Sequence, residues 1–143
     1  MPYTESKIIN IKYYWLTWFS IVGLMLLFRF SFFLNSPEDL KYSLFSTYTF
    51  ITWFPIMGVG FYNGKKFRKY LDKFHPEIFN KFYSHAFGTI TIDDPFGLIK
   101  FCFSKEKYDD YNLNKLKDFQ KNFSIFTLIV FISYPVCFFI NML

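Results

Sequence analysis

The fold is decided by residues 13–34, which read YYWLTWFSIVGLMLLFRFSFFL. The stretch is 22 residues long and carries one charge, Arg29. At about 1.5 Å per helical residue it reaches roughly 33 Å, enough to cross the hydrocarbon core of a bilayer. Backbone amides without partners are costly in hydrocarbon, and the stretch does not alternate in polarity as a barrel strand does. Residues 13–34 are therefore predicted to form a transmembrane helix.

Two later runs repeat this pattern. Residues 43–62 contain no charge in 20 residues, and residues 123–143 contain none in 21. Each run is long enough to cross a bilayer as a helix. The third is expected to continue without a break from a helix that Asn112 caps. We therefore predict an all-α membrane protein with three transmembrane helices, a tail of residues 1–12 and a loop of residues 35–42.

Residues 63–122 form a polar segment between the second and third spans. They hold twelve of the sixteen Lys and Arg residues and eight of the eleven acids. Apolar residues recur at helical spacing from Phe67 through Tyr70 and Leu71 to Phe74, which predicts an amphipathic helix. Its apolar face is expected to rest on the bilayer surface or on neighbouring helices. The interleaved cations form a basic face: Lys65, Lys66, Arg68, Lys69 and Lys73.

The basic face has three interpretations. It binds anionic lipid, it docks a partner protein, or it serves only as a positively charged anchor beside the second span. Around it, Pro76 is expected to open a short helix, and Asp94 followed by Pro95 predicts a helix start with the aspartate as N-cap. Residues 84–92 are expected to form a loop or a short extended segment.

Orientation follows from the Lys and Arg count of each flanking segment. The middle segment has twelve, the tail two, the 35–42 loop one, and the C-terminus none. We therefore expect a multi-pass protein of the bacterial inner membrane. Its N-terminus and its middle segment are cytoplasmic, and its 35–42 loop and its C-terminus are external.

Composition limits the partners. Hydrophobic residues make up 52% of the chain and 23 residues are Phe, which suits side chains that face lipid. The net charge of +5 does not indicate nucleic acid, because the cations are mixed with acids rather than arranged in a basic stripe. Anionic head groups of the bilayer are the expected partner, together with a protein partner or a second copy of the chain.

Two features inside the first span have both a structural and a functional interpretation. Arg29 lies five residues before the span ends, so it either snorkels to the interface, pairs with Glu38 or Asp39, or has a functional role as an intramembrane charge. Small residues recur at three-residue spacing and form a face where another helix is able to approach closely. That helix-packing face consists of Thr17, Ser20 and Gly23.

No enzyme signature is found. Neither phosphate-binding motif is expected around Gly58–Lys65, because a Walker A loop requires glycine where Val59 stands and a dinucleotide fingerprint requires glycine where Asn63 stands. His75 and His85 do not match a metal-ligand spacing. The acidic pairs at 93–94 and 109–110 are more typical of turns and caps than of a cation site. We therefore predict a non-enzymatic protein with no catalytic, cofactor-binding or metal-binding residues.

The C-terminal half resembles the universal stress protein B family of small bacterial inner-membrane proteins. The resemblance rests on LIKFCFS at 98–104, on Tyr108 and Asp110, and on the charged helix that runs into Phe123. Family members have two spans and a basic cytoplasmic centre, whereas this chain has an additional N-terminal span and lacks the glycine run before the motif. The resemblance implies a non-enzymatic role in stress tolerance and assigns no site residues.

Two other functional classes fit the same architecture. Three short spans with basic cytoplasmic loops resemble immunity proteins against pore-forming toxins, which recognise a toxin's helices inside the bilayer. Alternatively the chain is a small subunit of a larger membrane complex, with Thr17, Ser20 and Gly23 as its docking face.

Overall fold

The computed structural model describes residues 10–31, 37–86 and 89–142. Most of the predicted tail, the end of the first predicted span and the start of the 35–42 loop lie outside these ranges. In chain order the elements are α1 (Ile11–Ser31), α2 (Glu38–Phe74), α3 (Pro76–Phe82), β1 (Tyr83–Ala86), β2 (Thr89–Ile92), α4 (Pro95–Phe103) and α5 (Tyr111–Met142).

Three of these helices, α1, α2 and α5, are long and apolar enough to cross a membrane. This confirms the prediction of three candidate spans in a mainly helical chain. α2 has 37 residues and α5 has 32, so they measure about 55 Å and 48 Å. Both exceed the roughly 30 Å of a hydrocarbon core. α5 is unbroken, as predicted, and α2 already begins at Glu38, within the segment predicted as a loop.

The chain divides into two compact units. The three-helix unit comprises Met1–Ile56 and Phe126–Leu143, and the middle unit comprises Met57–Ile125. In the three-helix unit, hydroxyl groups link the helices. Tyr48 of α2 is fully buried, and its phenol accepts a hydrogen bond of 3.1 Å from the indole of Trp18 and lies 2.6 Å from the hydroxyl of Ser133. The hydroxyl of Thr52 on α2 likewise lies 3.2 Å from the phenol of Tyr134 on α5.

The middle unit has an aromatic core. On α2, Phe67, Tyr70 and Leu71 are at most 4% exposed, whereas Phe74 is 44% exposed. The buried residues that complete this core come from the other elements of the unit: Ile78, Phe79, Tyr83, Phe101, Cys102, Leu113, Leu116, Phe119 and Phe123. The sequence left open whether the apolar face of α2 rests on lipid or on neighbouring elements. The structure shows that it packs on neighbouring elements.

Local predictions in the middle unit have mixed outcomes. Pro76 opens α3, and Asp94 caps α4 by accepting the N–H of Gly97 at 2.7 Å, both as predicted. In the predicted loop or extended segment 84–92, the described residues are extended: β1 and β2 pair antiparallel, with Tyr83 opposite Ile92. The prediction that Asn112 caps α5 is wrong. Asp110 is the cap, because its carboxylate lies before the first turn and accepts the N–H groups of Asn112 and Leu113.

Candidate functional site

The fold divides the predicted basic face. Lys65, Lys69 and Lys73 are exposed and recur at four-residue spacing along one side of α2. We call these three residues the lysine row. Arg68 instead turns towards β2 and donates a hydrogen bond of 3.1 Å to the carbonyl oxygen of Ile90. The lysine row is therefore the part of the predicted basic face that is exposed on one side of α2.

α5 brings further positive charge to the same unit. Lys66 of α2 is half-buried and close enough to Lys115 of α5 for the two ammonium groups to repel each other. The ammonium of Lys121 lies 5.9 Å from the ring centre of Phe103. Cations of α2 and α5 are thus close to each other at Lys66 and Lys115. A surface of this kind attracts anions more strongly than either helix alone.

Lys117 is a buried cation that sequence reasoning missed. It is only 3% exposed, and its ammonium donates hydrogen bonds to the hydroxyl of Ser104 at 2.8 Å and to the carbonyl oxygen of Glu106 at 2.7 Å. The ring centres of Phe101 and Tyr108 lie 5.0 and 5.5 Å from it. Neutral acceptors and aromatic faces thus replace its water shell. We call this arrangement the Lys117 cage.

Three members of the Lys117 cage come from one short stretch of sequence, residues 101–108. Phe101, Ser104 and Tyr108 all contact the ammonium of Lys117. Lysine in a charged helix is ordinarily a solvated residue, so the sequence carries no signal for its burial. The cage pins the connection between α4 and α5 onto the side of α5. Its role is structural.

Asp110 joins three parts of the middle unit. One carboxylate oxygen accepts the hydroxyl of Tyr70 at 2.5 Å and lies 2.9 Å from the Nε2 atom of His75. The other accepts the N–H groups of Asn112 and Leu113. Partial burial disfavours the ionised form, but these four hydrogen bonds outweigh it and lower the pKa of Asp110 below its usual value. The carboxylate is therefore ionised at neutral pH and acts as a structural hub.

The buried thiol of the middle unit, Cys102, has low reactivity. Cys102 is 7% exposed, and burial raises the pKa of its thiol to about 11, although the nearby Lys117 opposes the rise. Burial likewise raises the pKa of Tyr83 to about 12. Both groups stay protonated at neutral pH. Since the thiolate is the nucleophilic form of cysteine, Cys102 is a core residue rather than a nucleophile.

The histidines contact separate carboxylates. His75 lies between Asp110 and Glu77, and its Nδ1 atom is 3.4 Å from a Glu77 oxygen. His85 is 3.4 Å from Asp72. Across residues 10–31, 37–86 and 89–142, no three His, Cys, Asp or Glu side chains are grouped to hold a metal ion. The contacts of both histidines are those of ordinary polar neighbours.

Arg29 is covered by protein. It is 5% exposed and belongs to the last turn of α1. It lines a cavity of about 280 Å³ within the three-helix unit, whose other walls include Trp18, Leu44, Tyr48 and Val136. The guanidinium lies 6.0 Å from the ring centre of Phe30. The side chain is thus enclosed within the three-helix unit.

The small residues of α1 do not pack against another helix of the described chain. Thr17 and Ser20 are exposed, and a Cβ atom on Gly23 would meet nothing within 4 Å. Close approach occurs at Gly60 instead, where an added Cβ would lie 3.4 Å from the ring of Phe123. The Thr17, Ser20 and Gly23 face is therefore open to another chain.

Comparison with known proteins gives no assignment. No protein-family model matches the chain, and neither a curated protein nor a solved structure matches it. Function therefore rests on the chemistry of the chain's own residues. That chemistry consists of three apolar helices, an exposed row of lysines beside one of them, and a middle unit in which Asp110 and Lys117 have structural partners.

Proposed function

We propose that this chain is a non-enzymatic, multi-pass protein of the bacterial inner membrane that acts by binding, with its middle unit attached to anionic lipid head groups. The position of the lysine row carries the proposal. Lys65 lies three residues after the uncharged run 43–62, about 4.5 Å along an unbroken helix. The head-group layer on each side of the core is roughly 5–7 Å deep, so the row begins inside it.

The charges of the row favour anionic lipid for an energetic reason. A lysine near an anionic membrane surface contributes about 1 kcal/mol, and the contribution falls off within a Debye length of the surface. Lys121 of α5 adds a fourth cation two residues before the uncharged run 123–143 begins. This supports lipid head groups as the ligand of the basic face.

Lipid retention tests this proposal. The full chain is reconstituted in mixed phosphatidylglycerol and phosphatidylcholine, extracted in mild detergent, and its bound lipids are counted by native mass spectrometry. The test variant carries Lys65→Gln, Lys69→Gln and Lys73→Gln. The control keeps the positive charge at the same positions, by Lys65→Arg, Lys69→Arg and Lys73→Arg. We expect the preference for the anionic lipid to fall roughly tenfold or more only in the test variant; equal retention in both would refute the proposal.

The proposed orientation places the N-terminus and the middle unit in the cytoplasm and the C-terminus outside. It follows from the positive-inside rule applied to the twelve cations of residues 63–122. Reporters active on one side of the membrane, fused in turn to each terminus, are expected to report opposite faces. Finding both termini on one face would contradict three crossings.

A second candidate function is recognition of another membrane helix. The open Thr17, Ser20 and Gly23 face favours it, because small residues let helix backbones approach closely in lipid. Immunity against a pore-forming toxin and membership of a larger membrane complex both use such a face. Survival of expressing cells under toxin challenge tests the first, and a stoichiometric partner in mild detergent tests the second. The role in stress tolerance implied by the family resemblance stays a prediction.

A further inference from the structure

α4 has one face in the core and one face without protein cover. Phe101 and Cys102 are buried. On the other face Phe96 is 83% exposed, Ile99 54% and Phe103 41%, at the i, i+3 and i+7 positions of a helix. We call these three residues the α4 stripe. Three large exposed apolar side chains on one face of a nine-residue helix form a patch, whereas isolated apolar residues on a protein surface need no explanation.

The C-terminal end of the α4 stripe lies at the level where α5 enters its uncharged run. Phe103 is 5.9 Å from the ammonium of Lys121. Lys121 precedes Phe123 by two residues, or about 3 Å along the helix. The buried face of α4 lies next to α2, where the ring centre of Phe101 is 6.5 Å from that of Phe67. Phe67 follows Tyr62, the last residue of the uncharged run 43–62, by five residues or about 7.5 Å along α2. Both distances along the long helices are comparable with the depth of the head-group layer.

The charges around α4 are mixed. Lys100 is exposed on α4, and in the connection beyond its C-terminus the exposed Lys105 and Lys107 stand among the exposed Glu106 and Asp109. Charge therefore does not decide what covers the α4 stripe. Its position beside the starts of two candidate spans does, because an exposed apolar face at that level meets the interface of the bilayer.

We propose that α4 is an interfacial helix whose exposed stripe inserts into the leaflet next to the middle unit, with Phe103 deeper than Phe96. The amphipathic face on α2 that the sequence suggested for this role is buried in the core, so α4 takes it over. The inference rests on the proposed placement of the middle unit on lipid. It concerns apolar insertion rather than charge attraction, and so predicts insertion in neutral lipid as well.

Depth of a spin label tests the proposal. The full chain, with Cys102→Ala and Cys137→Ala, is labelled at Ile99→Cys in nanodiscs of phosphatidylcholine alone, and collisions with oxygen and with an aqueous nickel chelate are measured. The control is Glu77→Cys, because Glu77 is exposed and lies beyond the C-terminal end of α2. That end, Phe74, is twelve residues or about 18 Å along the helix from Tyr62.

We expect the label at Ile99→Cys to lie about 5–10 Å into the head-group and acyl boundary and the control label to lie in water. A label at position 99 as accessible to the nickel chelate as the control overturns the proposal. Protection from both relaxants also overturns it, because a protein surface would then cover the stripe. Neutral lipid separates this result from the lysine-row experiment, whose effect requires anionic lipid.

A second measurement keeps the native cysteines, in case the cysteine-free chain does not fold. A benzophenone side chain is placed at position 96 or 103, and cross-links are formed by light in the same nanodiscs. Adducts with the mass of a phospholipid, more abundant from position 103 than from 96, support insertion. A cross-linked dimer of the chain, or no adduct at either position, contradicts it.

Discussion

Tyr70 and Asp110 lie forty residues apart in sequence and are joined by a hydrogen bond of 2.5 Å from the phenol to the carboxylate. The bond links the cytoplasmic extension of α2, as we propose it, to the first turn of α5. His75 shares the same carboxylate oxygen, so the junction between α2 and α3 is held at this point too. One ionised group therefore connects three helices of the middle unit.

The Asp110 hub predicts a pH dependence of stability. Because the pKa of Asp110 is lowered in the folded unit, its stabilisation is present above the usual carboxyl pKa of about 4 and is lost as the pH falls through the folded value. Asp110→Asn is expected to cost about 1–2 kcal/mol at pH 7 and less at low pH. Urea unfolding in micelles at both pH values measures this. Asp109→Asn, at the exposed neighbour, is the control, and an equal loss there would contradict the assignment.

The Lys117 cage predicts that replacing Lys117 destabilises the protein more than replacing the exposed Lys115. Lys117→Met leaves Ser104 and the carbonyl of Glu106 without their donor, so we expect a loss of about 1–3 kcal/mol. It should also make the connection between α4 and α5 more sensitive to trypsin, which cleaves after the exposed Lys105 and Lys107. Lys115→Met removes the same charge from an exposed site and should change stability by about 0.5 kcal/mol or less. Equal effects at 115 and 117 would mean that the cage contributes nothing.

The two glycines of α2 should differ in tolerance. Gly60→Leu drives a side chain against the ring of Phe123 and is expected to cost about 1–3 kcal/mol. Gly58→Leu meets open space and should be neutral or stabilise the helix by up to about 1 kcal/mol. Thermal melting of the two variants in the same detergent compares them. Tolerance of leucine at both positions would show that α2 and α5 do not approach closely at Gly60.

Tyr48→Phe tests the hydroxyl links of the three-helix unit. It removes the phenol that contacts both Trp18 and Ser133, and polar links between helices in lipid contribute about 0.6–1.7 kcal/mol. Unfolding by SDS titration in mixed micelles should reveal a loss of this size. Tyr42→Phe, on an exposed site of the same helix, should leave the curve unchanged. An unchanged curve for Tyr48→Phe would show that the links add nothing to stability.

Sequence alone determined the features that depend on neighbouring residues. An uncharged run of about 20 residues must satisfy its backbone internally in lipid, so the three candidate spans could be predicted from length and charge. The starts of α3 and α4 could be predicted for the same local reason, since Pro76 and the Asp94-Pro95 pair act within a single turn. The lysines beside the second span were visible as well.

Tertiary structure decided everything that depends on distant partners. The pattern from Phe67 to Leu71 is equally suited to lipid and to protein, and only the arrival of α4 and α5 buries it. Asp110 rather than Asn112 caps α5 because Tyr70 and His75 also hold its carboxylate in place. Lys117 is buried because the connection after α4 folds over it. The periodicity of a helix does not show which of its apolar faces remains exposed. Burial of each face depends on the elements that pack against it, and these are distant in sequence.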